Sequence, residues 1–212
     1  MKVYGYFRSS AAYRLRIALR LKGLEAEQAF VQLRRNEQLS PEYRRLNPLG
    51  LVPALEENGQ VFTQSLAIIE YLDETHPEPP LLPGTAADRA FVRAIALTIA
   101  CDIHPLNNLR VLNYLLKDLG VDDAAKDRWY GHWIAAGFAA LETLLAGDAR
   151  VGTFCYGDTP SLADVCLVPQ MFNAERMNCP LEPYPTLRRL AANARALPAF
   201  AAAEPGRQPD AE

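Results

Sequence analysis

Two serines, Ser9 and Ser10, stand where a short aromatic and β-branched run, residues 2–7, gives way to an apolar helical pattern from Ala11 to Lys22. A hydroxyl at such a strand-to-helix turn can donate a hydrogen bond to an anion, and the helix N terminus adds its positive end. On pattern alone the same serines serve equally well as plain helix caps. A second pair, Gln64-Ser65, precedes the apolar face of Leu66, Ile68, Ile69 and Leu72. It predicts a helix with Ser65 as N-cap and an anion site of the same kind. His104 and Asn108 are four residues apart, which sets them on one helix face, and His104-Pro105 implies a kink there. A lone His–Asn pair is more often structural than ligating. Three arginines complete the set: Arg8 beside the first turn, Arg110 two residues after Asn108, and Arg176 near the end of a helix opened at Ser161. Arginine supplies the better fork for carboxylates and phosphates. Eighteen of the 22 basic residues are arginine, so a solvated surface is the ordinary reading of any one of them.

The elements that must position these residues fall into two textures. Residues 2–7 and Glu27 to Leu33 read as strands around the first helix, which Gly23 stops. This strand–helix–strand unit predicts a parallel pair with a right-handed crossover. Arg34 to Leu46 reads as irregular or short helical. Pro53 confines Leu51–Leu55 to an edge strand or to a special conformation at that proline. Asn58-Gly59 between Ala54-Leu55 and Val61-Phe62 is a hairpin signal. Four prolines within residues 76–84 make a stiff linker and the best boundary in the chain. Beyond it, residues 86–118, 122–146, a segment from Ser161 and a segment from Tyr184 to Leu197 read as helices. Ser161 and Asp164 form a capping-box variant. The polar tail from Pro205 reads as frayed.

Composition excludes several classes. The chain has 212 residues, half of them hydrophobic and 22% charged, with a net charge of −3. That is ordinary globular composition for one or two domains. A generic nucleic-acid binder would be basic, so no nucleic-acid partner is expected. No 18-residue apolar run predicts a membrane span, and no leader-like apolar stretch opens the chain. Cys101, Cys155, Cys166 and Cys179 show no metal-ligand spacing, so no metal is expected, and scattered free thiols fit a reducing cytoplasm.

The order of motifs resembles the cytosolic glutathione transferases. Val52-Pro53-Ala54-Leu55 looks like the family's V-P-A-L segment, in which the proline follows a cis peptide. Gln64-Ser65 looks like its Q-S pair, and Ser161-Leu162-Ala163-Asp164 like its capping box. Arg8 to Leu19 resembles the S-S-C-x-x-R-V-R-I-A-L signature of the zeta class, with Ala11 where that signature has cysteine. Residues 101–108 resemble the bacterial form of its second-domain site. The resemblance covers residues 1–205. It implies an α/β thioredoxin-like, glutathione-binding domain at 1–80, a linker at 81–87 and an all-α substrate-binding domain at 88–212.

The resemblance also implies a chemistry. Isomerases of this class turn a cis double bond conjugated to a ketone into its trans form. Glutathione acts as cofactor: its thiolate adds to the double bond and later leaves. A free thiol with a pKa near 8.5 is only about 3% ionised at pH 7, and lowering it by about two units takes about 2.7 kcal/mol. Ser9 is implied as thiolate stabiliser, with Ser10 second, and Arg8 beside the reacting centre. Gln38, Val52, Pro53, Gln64, Ser65, His104 and Asn108 are implied glutathione contacts. Arg8, Arg110 and Arg176 are implied contacts to a dianionic substrate, maleylacetoacetate or maleylpyruvate, in the breakdown of aromatic compounds by a cytoplasmic homodimer. A transferase or dehalogenase acting on α-halo acids is an alternative. So is a non-catalytic glutathione-binding stress protein, an idea that Ala11 keeps open.

Overall fold

A computed structural model describes residues 1–212, and the chain divides into two compact units, Met1–Leu81 with Ala196–Glu212 and Leu82–Arg195. The first is α/β. It runs β1 (Lys2–Gly5), α1 (Ser10–Leu21), β2 (Glu27–Phe30), two short 3-10 turns, α2 (Pro41–Leu46), β3 (Ala54–Glu57), β4 (Gln60–Thr63) and α3 (Ser65–Thr75). The sheet order is β2-β1-β3-β4, with β1 parallel to β2 and the other pairs antiparallel. The parallel pair needs a crossover, and α1 provides it. The Asn58-Gly59 signal is realised as a two-residue hairpin in which both residues take positive φ, 50° and 75°. That is the turn whose twist matches paired strands.

Pro53 does not sit in an edge strand. It precedes β3, which is an interior strand, and the Val52–Pro53 bond is cis. The ladder begins at Ala54, so the proline removes no sheet hydrogen bond. The second strand is also shorter than its sequence suggests, ending at Phe30, because the chain turns into the 3-10 segments at Leu33. Leu15, Ile17 and Ala18 of α1 and Ile68, Ile69 and Leu72 of α3 are fully buried with Ala54 and Leu55 of β3, which makes the core of this unit.

The second unit is all-α: α4 (Ala86–Leu97), α5 (Leu109–Lys117), α6 (Asp123–Leu145), α7 (Leu162–Arg176) and α8 (Pro185–Arg195). The single helix expected over 86–118 is instead broken. After α4 come a π-helical turn, Thr98–Ile103, and a 3-10 turn, His104–Asn107, before α5 starts again. Two physical causes are visible. Pro105 lacks the N–H a continuous helix needs. Ile103 also packs directly against Gly137 of α6, where any Cβ would collide with it. At α7 the capping box forms as the sequence suggests: the buried Asp164 carboxylate accepts from the Ser161 N–H and hydroxyl, each at 2.9 Å.

The tail is not frayed. From Pro205, just after α9 (Pro198–Ala203), it forms a 3-10 turn at Pro205–Arg207, and Asp210 and Glu212 beyond it are hydrogen-bonded to Phe7 and Arg34, so it belongs with the first unit. Packing leads into it: α9 lies on α1 with Phe200 and Ala203 buried, and Pro205 is buried directly after it. The all-α unit thus ends at Arg195, short of the 212 expected from sequence. No helix is long and apolar enough to cross a membrane.

Candidate active site

In the α/β unit the first turn is built as a helix start. Ser9 is the N-cap of α1, and its Oγ accepts from the Ala12 N–H at 3.2 Å. An accepting hydroxyl still has its own proton to donate, so cap and donor are compatible roles. Ser10 is the first helical residue and is buried; Ala11 follows it, half-buried. Arg8 is half-buried, with its guanidinium 5.9 Å from the centre of the Phe7 ring. Tyr6 and Phe7 of the same turn belong to one apolar cluster with Val31, Tyr43 and Val52. The cluster therefore joins the Ser9 turn to the loop that carries Val52. That loop is tied down by two residues outside the expected site set. Tyr43 Oη and Asn47 Nδ2 both donate to the Leu51 carbonyl at 2.7 Å. Val52 itself lies before the ladder begins, outside the paired sheet.

The second turn differs from its expectation by one residue. The cap of α3 is Gln64, not Ser65, and it makes no side-chain cap bond. Gln64 has φ 69°, ψ 114°, a left-handed backbone that a residue with a Cβ occupies at a cost of about 1–3 kcal/mol. Ser65 is the first residue of α3 and is buried. Its Oγ receives a hydrogen bond from Arg14 Nη1 of α1 at 3.4 Å. Arg14 is 2% exposed, so a guanidinium buried in α1 backs the N terminus of α3. Gln38 lies in a 3-10 turn against Gly50, whose positive φ of 62° and close approach to the Gln38 carbonyl leave no room for a Cβ. The Gln38 Oε1 is buried without a hydrogen-bond partner.

In the all-α unit, His104 and Asn108 do not share a helix face. His104 opens the 3-10 turn, while Asn108 is extended, with φ −70° and ψ 149°, and caps α5 by accepting from the Arg110 N–H at 3.1 Å. The break described above removes the helix on which an i, i+4 relation would hold. Arg110 and Arg176 are both exposed. Arg176 lies near Tyr130 of α6: burial pushes the Tyr130 hydroxyl up to about 12, and the positive charge of Arg176 pulls back against it. Tyr130 is 46 residues away in sequence, and no local pattern announces it.

The first 74 residues match the family model described as glutathione S-transferase, N-terminal domain. Across its length the chain is 56% identical to a probable maleylacetoacetate isomerase of Vibrio cholerae, covering 99% of this chain and 97% of that one. A holo structure of a maleylpyruvate isomerase, a bacterial zeta-class glutathione S-transferase, superposes over all of both chains with TM-score 0.98 and 50% identity. A maleylacetoacetate isomerase from Methylobacterium extorquens AM1, solved with malonate and glutathione bound, does so with TM-score 0.97 and 40% identity over all of both chains. The chain belongs to the glutathione S-transferase family, in the zeta class of maleylacetoacetate and maleylpyruvate isomerases.

Proposed function

We propose that this chain is a glutathione-dependent cis–trans isomerase that converts maleylacetoacetate to fumarylacetoacetate or maleylpyruvate to fumarylpyruvate. The α/β unit binds glutathione and the all-α unit contributes to the substrate. The observation that carries the reading is the presence of two serine-bearing helix starts in one unit, Ser9 on α1 and Ser65 on α3, with buried Arg14 of α1 donating to the Ser65 hydroxyl. Two features fit glutathione. A helix N terminus backed by a guanidinium suits a carboxylate. The orphaned Gln38 acceptor suits a peptide N–H.

The chemistry that bound glutathione supplies is a thiolate, which adds reversibly to the double bond and frees it to rotate. The residues of this chain do the rest. The Ser9 hydroxyl donates to the sulfur, with Ser10 beside it, and the α1 N terminus holds negative charge there. Ser65 and Gln64 hold the γ-glutamyl carboxylate, and the backbone of Val52, next to Pro53, pairs with the cysteinyl peptide as an added strand. His104 and Asn108 contact glutathione or substrate from the all-α unit. Arg8 stabilises negative charge developing on the substrate's carbonyl oxygen, and Arg110 and Arg176 hold its carboxylates. In this reading the protein works in the cytoplasm as a homodimer.

The deciding experiment follows maleylacetoacetate or maleylpyruvate by absorbance with glutathione at a small fraction of the substrate. Turnover should require glutathione and leave total thiol unchanged. Stoichiometric thiol loss would make the chain a conjugating transferase, and glutathione binding without turnover would make it a binding protein. A second measurement concerns the arginines. Both are exposed, which weakens each contact by solvent screening. Arg176→Ala and Arg110→Ala should therefore lose about 10- to 30-fold in kcat/KM, mostly through KM, about 1.4–2 kcal/mol. Glutathione affinity should not change. Lysine should rescue Arg176 poorly, since a point charge does not copy the fork. Unaltered kinetics in both alanine variants would return these arginines to the solvated surface.

A further inference from the structure

The C-terminal segment reaches the turn that carries Ser9. Asp210 Oδ2 accepts from the Phe7 N–H at 2.8 Å, two residues before Ser9. Two carbonyls of the turn are held by Arg16, which is 8% exposed. Its Nη2 donates to the Phe7 carbonyl at 2.8 Å and its Nη1 to the Tyr6 carbonyl at 3.4 Å. Its Nε donates to the Ala203 carbonyl at 3.1 Å, at the end of α9. Ser9 closes the turn by donating its N–H to the Tyr6 carbonyl at 3.0 Å. Both peptide groups of Phe7 are thus fixed, one by Asp210 and one by a guanidinium anchored on the same C-terminal segment. Beyond Asp210, Glu212 pins the segment again, accepting from Gln32 Nε2 at 2.5 Å and pairing with Arg34 at 2.8 Å.

We propose that Asp210 is a positioning residue for Ser9: by holding the Phe7 N–H it fixes the Tyr6–Ser9 turn and, with it, the direction of the Ser9 hydroxyl. The inference rests on the role given to Ser9 above. A charged acceptor on a backbone N–H makes a short, strong bond. Without it the turn keeps Arg16 on its carbonyls but loses its hold on the N–H side. A displacement of about 1 Å in a catalytic donor costs on the order of 100-fold in rate.

The test compares the wild type with Asp210→Ala and Asp210→Asn, using maleylpyruvate with catalytic glutathione, ultraviolet absorbance of the bound glutathione thiolate at neutral pH, and thermal melting. Asp210→Ala should lower kcat by roughly 10- to 100-fold, with KM for maleylpyruvate within about threefold, and should weaken the thiolate absorbance. Asp210→Asn keeps an acceptor for the Phe7 N–H and should stay within about threefold of wild-type kcat. A lower melting temperature with wild-type kcat in Asp210→Ala would make the bond merely structural and overturn the proposal. Equal losses in both variants would overturn it as well, moving the role to the charge on Arg16. Should Asp210→Ala not fold, Asp210→Glu takes its place: it keeps the charge but shifts the oxygens by a methylene, and wild-type kcat there overturns the proposal. If the wild type binds glutathione as a thiolate but does not isomerise, the proposed function fails, and thiolate absorbance across the variants still decides for Asp210. A wild type with no thiolate at all overturns both.

Discussion

Ser9→Ala should lose on the order of 10²–10³ in kcat, the usual cost of removing one preorganised donor to a developing or resident anion. The structure sharpens the expectation, because Ser9 Oγ has two tasks that separate experimentally. It accepts from the Ala12 N–H as the cap of α1. Losing that bond costs about 1 kcal/mol of stability. The same hydroxyl donates its proton to the sulfur, and losing that bond raises the thiol's pKa and empties the thiolate at neutral pH. Ser9→Asp would keep a capping acceptor and lose the donor, so it should melt near the wild type while remaining inactive. Ser10→Ala should lose less than about tenfold, since Ser10 is a buried first-turn residue and Ser9 already holds the cap. Steady-state kinetics with catalytic glutathione, together with thiolate absorbance, check all three. Wild-type kcat in Ser9→Ala would remove Ser9 from the chemistry.

Lys22→Met should lower stability by about 3–5 kcal/mol, the cost of leaving one partner of a buried ion pair behind. Lys22 follows α1, and its side chain is fully buried. Its ammonium has three donors and three acceptors: Asp73 Oδ1 at 2.7 Å, the His76 carbonyl at 2.6 Å and the Pro79 carbonyl at 3.0 Å. Asp73 Oδ1 also accepts from the Leu81 N–H at 2.8 Å. The proline-rich segment is thereby fastened to the α/β unit along its length. Removing the ammonium leaves a carboxylate only 12% exposed and two carbonyls without their donor. For a chain of this size the melting temperature should fall by roughly 6–20 °C. The double variant Lys22→Met with Asp73→Leu should recover part of the loss, because the stranded charge goes with it. A loss below 1 kcal/mol in the single variant would show that water reaches the site and the pair contributes little.

What was legible in the sequence was local. Asn58-Gly59 reads as a hairpin because both residues tolerate the positive φ the turn imposes. The Ser9 turn reads as a helix start because caps are chosen from a few side chains, whereas at Gln64-Ser65 the start was legible but the cap was not, since Gln64 takes that place without a side-chain bond. The break between α4 and α5 was not legible as more than a kink at Pro105, since apolar spacing runs through it and its second cause, Ile103 seated on Gly137, lies 34 residues away. Arg176 was legible as an arginine near a helix end, but its Tyr130 partner was not. The polar tail read as frayed for the same reason. The groups that tie it to the rest of its unit, Phe7, Gln32 and Arg34, lie more than 170 residues away in sequence.

The α/β unit takes its last helix from residues 196–212, so in chain order the all-α unit is an insertion within it. On the ribosome this fixes a schedule. Leu82–Arg195, 114 residues, must be made between the two parts of the first unit. At about 5–20 residues per second that takes roughly 6–23 s. During this interval β1 to α3 have emerged, while the surface of α1 that α9 will cover, and the Phe7 N–H that Asp210 will hold, still face water or a chaperone. The unit that starts first is therefore the one that finishes last. The all-α unit, continuous in sequence, can complete its core while the Ser9 turn is still waiting for residues 196–212.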